Sequence, residues 1–239
     1  ADNSPQTVYI ILDVFQHSLS SPPIGNFDTP ENGSTAAGSI AVTGWAVDDV
    51  CLSEVKIYAN GTFIDNALFV AGARADIEQA YPNYPANHIG GWGYMMLTHY
   101  LPGGGQGDYT ISARAVDVSG NTTLLGSTAI TVDNDGAVKP FGAIESPTQG
   151  GTATGSSFRN WGWALTPQPN LIPTDGLTIS VIVDGKSVGN PTYNLPRNDI
   201  ANFFPGYANT SGPVGYFDLD TTVYSNGVHT IQWTVVDDD

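Results

Sequence analysis

The sequence predicts an all-β fold built as two tandem antiparallel β-sandwiches, and three observations carry that prediction. The 239-residue chain repeats itself: Arg74-x-Asp76-Ile77 returns as Arg197-x-Asp199-Ile200, Tyr81-Pro82 as Phe204-Pro205 and Tyr84 as Tyr207, each 123 positions later. Apolar and polar residues alternate in short runs, which is the period of a strand and not of a helix. The 28 glycines and 16 prolines punctuate those runs as turns do in an all-β chain.

The repeat extends beyond this block. Gly44-Trp45-Ala46 reappears as Gly162-Trp163-Ala164 at offset 118, and Phe27-Asp28-Thr29-Pro30 aligns with Ile144-Glu145-Ser146-Pro147 at offset 117. Residues 107–111 align with residues 227–231 at offset 120. The offset changes only between blocks, so insertions fall where turns are expected, as between two copies of one fold. A repeat of roughly 120 residues gives each copy enough chain to bury its own core. The division is a strand-like segment and linker over residues 1–23, a first domain over 24–134, a linker over 135–140 and a second domain over 141–239.

In chain order, residues 8–15 set Val8, Ile10, Leu12 and Val14 on one face, as a strand does, and residues 16–23 form a polar, proline-ended connector. Residues 39–47 are apolar on both faces, Ile40, Val42, Gly44 and Ala46 opposing Ala41, Thr43, Trp45 and Val47, as a central strand requires. Residues 52–59 alternate and turn at Asn60-Gly61 into residues 62–69, the strongest short-range hairpin signal. In the second copy, residues 178–183 turn at Asp184-Gly185 into one strand over 186–193. Residues 92–100 and 215–223 are the next strands, which places His99 in a strand. Residues 108–117 and 228–237 follow, with Tyr109, Ile111, Ala113 and Ala115 on one face of the first and His229, Ile231, Trp233 and Val235 on one face of the second. The first copy continues into a strand over residues 124–132 that has no counterpart in the second.

Charge and composition exclude several functions. Seven basic against 23 acidic side chains give a formal charge of −16, which repels phosphate backbones and argues against nucleic acid as a partner. The longest apolar run, residues 8–12, is far shorter than the roughly 20 residues that span a bilayer as a helix, so no membrane insertion is expected. A single cysteine, Cys51, rules out an internal disulfide framework.

The blocks Gly44-Trp45-Ala46, Arg74-x-Asp76-Ile77, Tyr81-Pro82 and Ala115-x-Asp117-x-x-Gly120-Asn121, with their second-copy counterparts, resemble bacterial immunoglobulin-like domains strung along secreted and cell-surface proteins. The resemblance covers nearly all of residues 24–239. It implies a disulfide-free immunoglobulin-like (fibronectin-III-like) sandwich in each copy and an extracellular or cell-surface setting. Tyr109-x-Ile111 stands where antibody domains carry Tyr-x-Cys.

Asp76 and Asp199 are expected as N-caps of single helical turns. Arg74 and Arg197, two residues upstream, are placed to pair with them. Trp45 and Trp163 are expected in the cores. The other reading of the repeated segment is a recognition loop of arginine, aspartate and exposed tyrosines. Asp117, in a turn, and Asp133 and Asp135, at the junction, carry the oxygen ligands that Ca2+ takes, although Asp, Asn and Gly are also ordinary turn formers. No other cofactor is expected. Tyr84, Trp92 and Tyr207, with Tyr81 and Trp161, would form a sugar-stacking face.

None of the four histidines, His17, His88, His99 and His229, has a second His or Cys at metal-ligand spacing, and no nucleophile or phosphate-loop motif is present. Glu54 with Asp76 stays open as a glycosidase couple, their separation being undefined by sequence. The expected function is a non-catalytic spacer, adhesion or interaction module whose protein or glycan partner the sequence does not name. The alternative is an accessory carbohydrate-binding region of a secreted glycoside-degrading enzyme. Residues 8–15 align with residues 125–132, the strand missing from the second copy, so head-to-tail association of chains through residues 8–15 is also expected.

Overall fold

A computed structural model describes residues 20–239; the strand expected over residues 8–15, the association expected through it, and His17 lie outside them. The first sandwich contains β1 (Ile24–Thr29), β2 (Thr35–Ala36), β3 (Ser39–Val47), β4 (Leu52–Ala59), β5 (Thr62–Phe69), β6 (Gly91–Leu97), β7 (Gln106–Asp117) and β8 (Thr122–Asp133), with the short helix α1 (Ala75–Ala80) between β5 and β6. The strand order is β1-β3-β6-β5-β4-β7-β8-β2. One strand, β5, passes between the two layers, pairing through Ala67 with β4 and through Leu68 and Phe69 with β6. All these pairings are antiparallel except β2 with β8, where Thr35 faces Thr131 and Ala36 faces Val132 in parallel.

The alternation seen in the sequence becomes burial. On β7, Tyr109, Ile111, Ala113 and Ala115 are all buried in a core shared with Val42, Val55, Ile57, Trp92, Met96, Ile130 and Val132. Each Val, Ile or Met among them contributes about 1.5–3 kcal/mol when taken fully out of water. β3 lies between β1 and β6, with Val42, Gly44 and Ala46 facing the core, while Ala41, Thr43 and Trp45 on its other face are exposed or half-buried. Asn60 and Gly61 have φ of 48° and 79°, and Asp184 and Gly185 have φ of 48° and 75°, the left-handed pair that a two-residue hairpin with the native twist demands. The Tyr109 hydroxyl donates to the Pro102 carbonyl at 2.8 Å, pinning the start of β7 to the loop before it.

The second sandwich contains β9 (Phe141–Ser146), β10 (Phe158–Pro167), β11 (Ile179–Val183), β12 (Lys186–Gly189), β13 (Thr192–Leu195), β14 (Tyr207–Ala208), β15 (Val214–Leu219) and β16 (Ile231–Val235), with α2 (Asn198–Phe203) between β13 and β14. One sheet has β10 flanked by β15 and β9, with β13 beyond β15; the other has the order β12-β11-β16. Both sandwiches are immunoglobulin-like.

Three expectations about elements are corrected. The strand expected over residues 186–193 is two strands, because the chain breaks at Asn190-Pro191, where proline has no N–H to donate, and β13 crosses to pair with β15. His99 lies in a single 3-10 turn, Thr98–Tyr100, that follows β6, and not in a strand. The strand expected over residues 228–237 is confined to β16. His229 precedes it, its ring held by the Asp184 carboxylate at 2.6 Å and the Ser225 carbonyl at 2.8 Å. Among the described residues β16 pairs with β11 alone, so the place that β8 takes in the first sandwich has no strand in the second.

Candidate functional site

The residues singled out by the repeat form two copies of one ion-pair triad. Arg74 Nε donates to Asp76 Oδ1 at 2.9 Å and Nη2 to Oδ2 at 2.7 Å, while Nη1 reaches Asp28 on β1 at 2.6 Å. Arg197 forms the same fork with Asp199, at 2.8 Å from both Nε and Nη2, and its Nη1 donates to Glu145 on β9. Asp28 and Glu145 are partners in the repeat at offset 117, so the sequence contains both triads in full. The hydrogen bond from Arg74 holds the Asp76 carboxyl down at about 2. The capping expectation is corrected: the N-cap positions are Arg74 and Arg197, without a side-chain cap, and each aspartate lies inside the first helical turn with its carboxylate in the guanidinium fork.

The carboxylates considered for Ca2+ lie at two separate places, the turn after β7 and the end of β8. Asp117 and Asp133 end opposite tips of the β7–β8 hairpin, roughly 35 Å apart along a strand of that length. Asp117 accepts from Ser20 Oγ at 2.7 Å and from the Asn121 backbone and side chain, both at 2.8 Å. Asp133 accepts from Gln106 Nε2 at 3.0 Å and Gly136 N at 2.8 Å, and Asp135 is exposed. Among the described residues no three His, Cys, Asp or Glu side chains cluster as metal ligands.

The sugar-stacking face is likewise not assembled. Trp92 is 3% exposed, its ring against Phe27 at 6.1 Å between centroids. Gly44 makes room for it: a Cβ there would come within 2.4 Å of the indole. Trp45 is corrected in the opposite direction, standing half-buried on the outer face of β3 with its ring 5.2 Å from Tyr81. Trp163 is 3% exposed. Tyr84 packs edge-on against Tyr81, and Tyr207 lies at the contact between the two sandwiches.

That contact is an aromatic and polar cluster continuous with the core of the second sandwich, to which Phe141 and Phe204 belong and against which Tyr207 packs. The His99 ring stacks on Phe141 at 5.3 Å and 18°, and meets Phe204 and Tyr207 edge-on at 5.1 and 5.3 Å. Tyr100 packs on Phe203 and Phe204. Beneath the rings, Asn134 closes the junction, its Oδ1 accepting from Gly38 N at 3.0 Å and Thr98 Oγ1 at 2.7 Å, its Nδ2 donating to the Gly105 carbonyl at 2.6 Å. Gly38, at φ 71°, lets Phe141 approach, since a Cβ there would sit 2.6 Å from that side chain. Burial lowers the His99 pKa from its ordinary value and raises that of Tyr207, the latter with help from Asp135. Beside the junction a cleft of about 1140 Å³ opens between Leu68, Tyr94 and Met95 of the first sandwich and Ala143 and Trp233 of the second.

Sequence reasoning named Tyr207 but gave His99, Phe141 and Asn134 no place in this cluster. A signal was present: at offset 123 the turn Thr98-His99-Tyr100 aligns with Thr221-Thr222-Val223, a position where one copy carries rings and the other does not.

Residues 23–79 match the family described as bacterial Ig domain. No curated protein matches the chain. Among solved structures, the fibronectin(III)-like modules of Clostridium thermocellum CbhA align at 18% identity over 46% of this chain and 98% of theirs, with a TM-score of 0.32. The endo-beta-1,4-mannanase from Thermotoga petrophila aligns at 15% identity over 48% of this chain, TM-score 0.33, and the aligned part is 20% of the mannanase. The Ig1-2 module of the Drosophila receptor protein tyrosine phosphatase DLAR aligns at 13% identity over 83% of this chain and 84% of its own, TM-score 0.31. The bacterial Ig domain match falls in the first of the two tandem sandwiches.

Proposed function

We propose that the chain is a non-catalytic tandem module of a bacterial extracellular or cell-surface protein, serving as a spacer and interaction unit that holds its neighbours in a set relation. The observation that carries this reading is the junction, where His99 is enclosed by Phe141, Phe204 and Tyr207. Packed aromatic rings restrict interdomain motion far more than a polar linker does. The bacterial Ig domain match supports the setting. Glu54 and Asp76, open in sequence as a glycosidase couple, are engaged by Lys56 at 2.9 Å and Arg74 at 2.7 Å, the ordinary occupation of surface acids. The reading is tested by small-angle scattering of the full chain at low and high salt, together with a glycan array. One interdomain arrangement, insensitive to salt, is expected. A broad spread of arrangements, or saturable glycan binding lost in Tyr84→Ala, would replace it with the carbohydrate-binding alternative.

A further inference from the structure

We infer that the first sandwich carries a second, open copy of the junction socket, and that this socket docks another sandwich of the same kind through a His–Tyr turn. The two sockets have the same internal geometry. Trp163 and Phe204 lie 5.2 Å apart at 34°, and Trp45 and Tyr81 lie 5.2 Å apart at 32°. Phe204 and Tyr207 meet at 6.2 Å and 87°, and Tyr81 and Tyr84 at 5.5 Å and 86°. These are the repeat partners at offsets 118 and 123, and the fourth wall, Phe141, corresponds to Ile24 at offset 117.

What differs is the cover. In the second sandwich His99 and Tyr100 sit on the socket, and Trp163, Phe204 and Phe141 are 3%, 1% and 8% exposed. In the first, Trp45, Tyr81 and Tyr84 are only half-buried and Ile24 is 38% exposed. Adjoining aromatic rings held in a fixed array and left part-open mark a contact surface. The occupant follows from the filled copy: Tyr84 holds the place of Tyr207, whose hydroxyl meets His99 Nε2 at 2.7 Å, so an incoming histidine finds the same partner.

The chain's own second turn is a poor plug. It occupies Thr221–Val223, with Thr222 where His99 stands and Val223, 72% exposed, where Tyr100 stands. The partner is therefore a homologous immunoglobulin-like sandwich whose corresponding turn carries the rings. This inference rests on the junction geometry, and the scattering test of the spacer reading can succeed whether or not it holds.

The test supplies the plug on the chain itself. Thr222 and Val223 are exposed, so Thr222→His with Val223→Tyr leaves the fold intact, which circular dichroism checks. Sedimentation velocity of the double variant is expected to show head-to-tail association at least about tenfold tighter than wild type, at about 1.4 kcal/mol per factor of ten. Adding Tyr84→Ala should abolish the gain, and Tyr84→Phe, which keeps the ring, should weaken it. Deleting residues 1–15 should leave it unchanged. A double variant no more associated than wild type, an association indifferent to Tyr84→Ala, or one lost with residues 1–15 would each overturn the inference.

Discussion

The Tyr207 hydroxyl lies 2.7 Å from Nε2 of His99, so one hydrogen bond joins a side chain of the second sandwich to one of the first. The other ring nitrogen, Nδ1, is buried without a hydrogen-bond partner among the described residues. A neutral ring that donates from Nε2 leaves only a bare lone pair there, whereas protonation would place an N–H against aromatic carbon with no acceptor.

Acid therefore loosens the junction. Burial holds the folded-state pKa of His99 below the ordinary 6.5, so the folded chain binds fewer protons than the unfolded one in that window. The contribution is fully present above pH 6.5 and is lost as the pH falls from there through the lower folded value. His229 works with the opposite sign, since the hydrogen bond to Asp184 raises its pKa and its contribution fades as pH rises. Comparison with His99→Gln separates the two: between about pH 7 and about pH 5 the wild type is expected to lose more Tm than the variant. Equal losses would show that His99 does not titrate in its cage.

The arginine triads should behave as ties between a helix and a sheet edge. Replacing Arg197 with Ala leaves Glu145 and Asp199 facing each other and is expected to cost about 1 kcal/mol in urea unfolding, the upper range for partly exposed pairs. Lysine should not rescue it, because a single ammonium cannot make the two parallel bonds to Asp199. In the first copy the contribution of Asp76 is present above its unfolded value of 3.8 and declines as pH falls toward about 2. An Arg197→Lys variant as stable as wild type would show that charge alone suffices.

Trp92 belongs to the core, and its truncation should read out as stability. Trp92→Ala is expected to cost about 3–5 kcal/mol, and Gly44→Ala, which drives a methyl into the same ring and into the Asn26 carbonyl 2.2 Å away, should destabilise by about 1–3 kcal/mol or more. A Trp92→Ala chain with unchanged Tm would return the indole to the surface.

Much of this was legible before any coordinates. The constant offsets delivered the two sandwiches, and the pairing of Arg74 with Asp76 followed from their spacing. The third member of each triad was visible only as an alignment of Asp28 with Glu145, since contact across 46 and 52 residues leaves no local signature. Trp92 was misjudged because its direction is decided by the glycine opposite it on another strand. Trp45 and Trp163 occupy one position in the repeat yet differ in burial, because what covers Trp163 comes in part from the neighbouring sandwich. His99 could not be read from its own turn at all: its environment is built by Phe141, Phe204 and Tyr207, which lie 42 to 108 positions away.

The hydrogen bond from Ser20 to Asp117 has a mechanical side. It fastens the chain leading into β1 to one tip of the β7–β8 hairpin, while β8 departs for the second sandwich from the opposite tip, at Asp133. Tension transmitted through the backbone thus runs lengthwise along the strands of the first sandwich. The parallel pairs Thr35 with Thr131 and Ala36 with Val132, and the long antiparallel seam between β7 and β8, are then loaded in shear, so their bonds must yield together and cannot be peeled open one at a time.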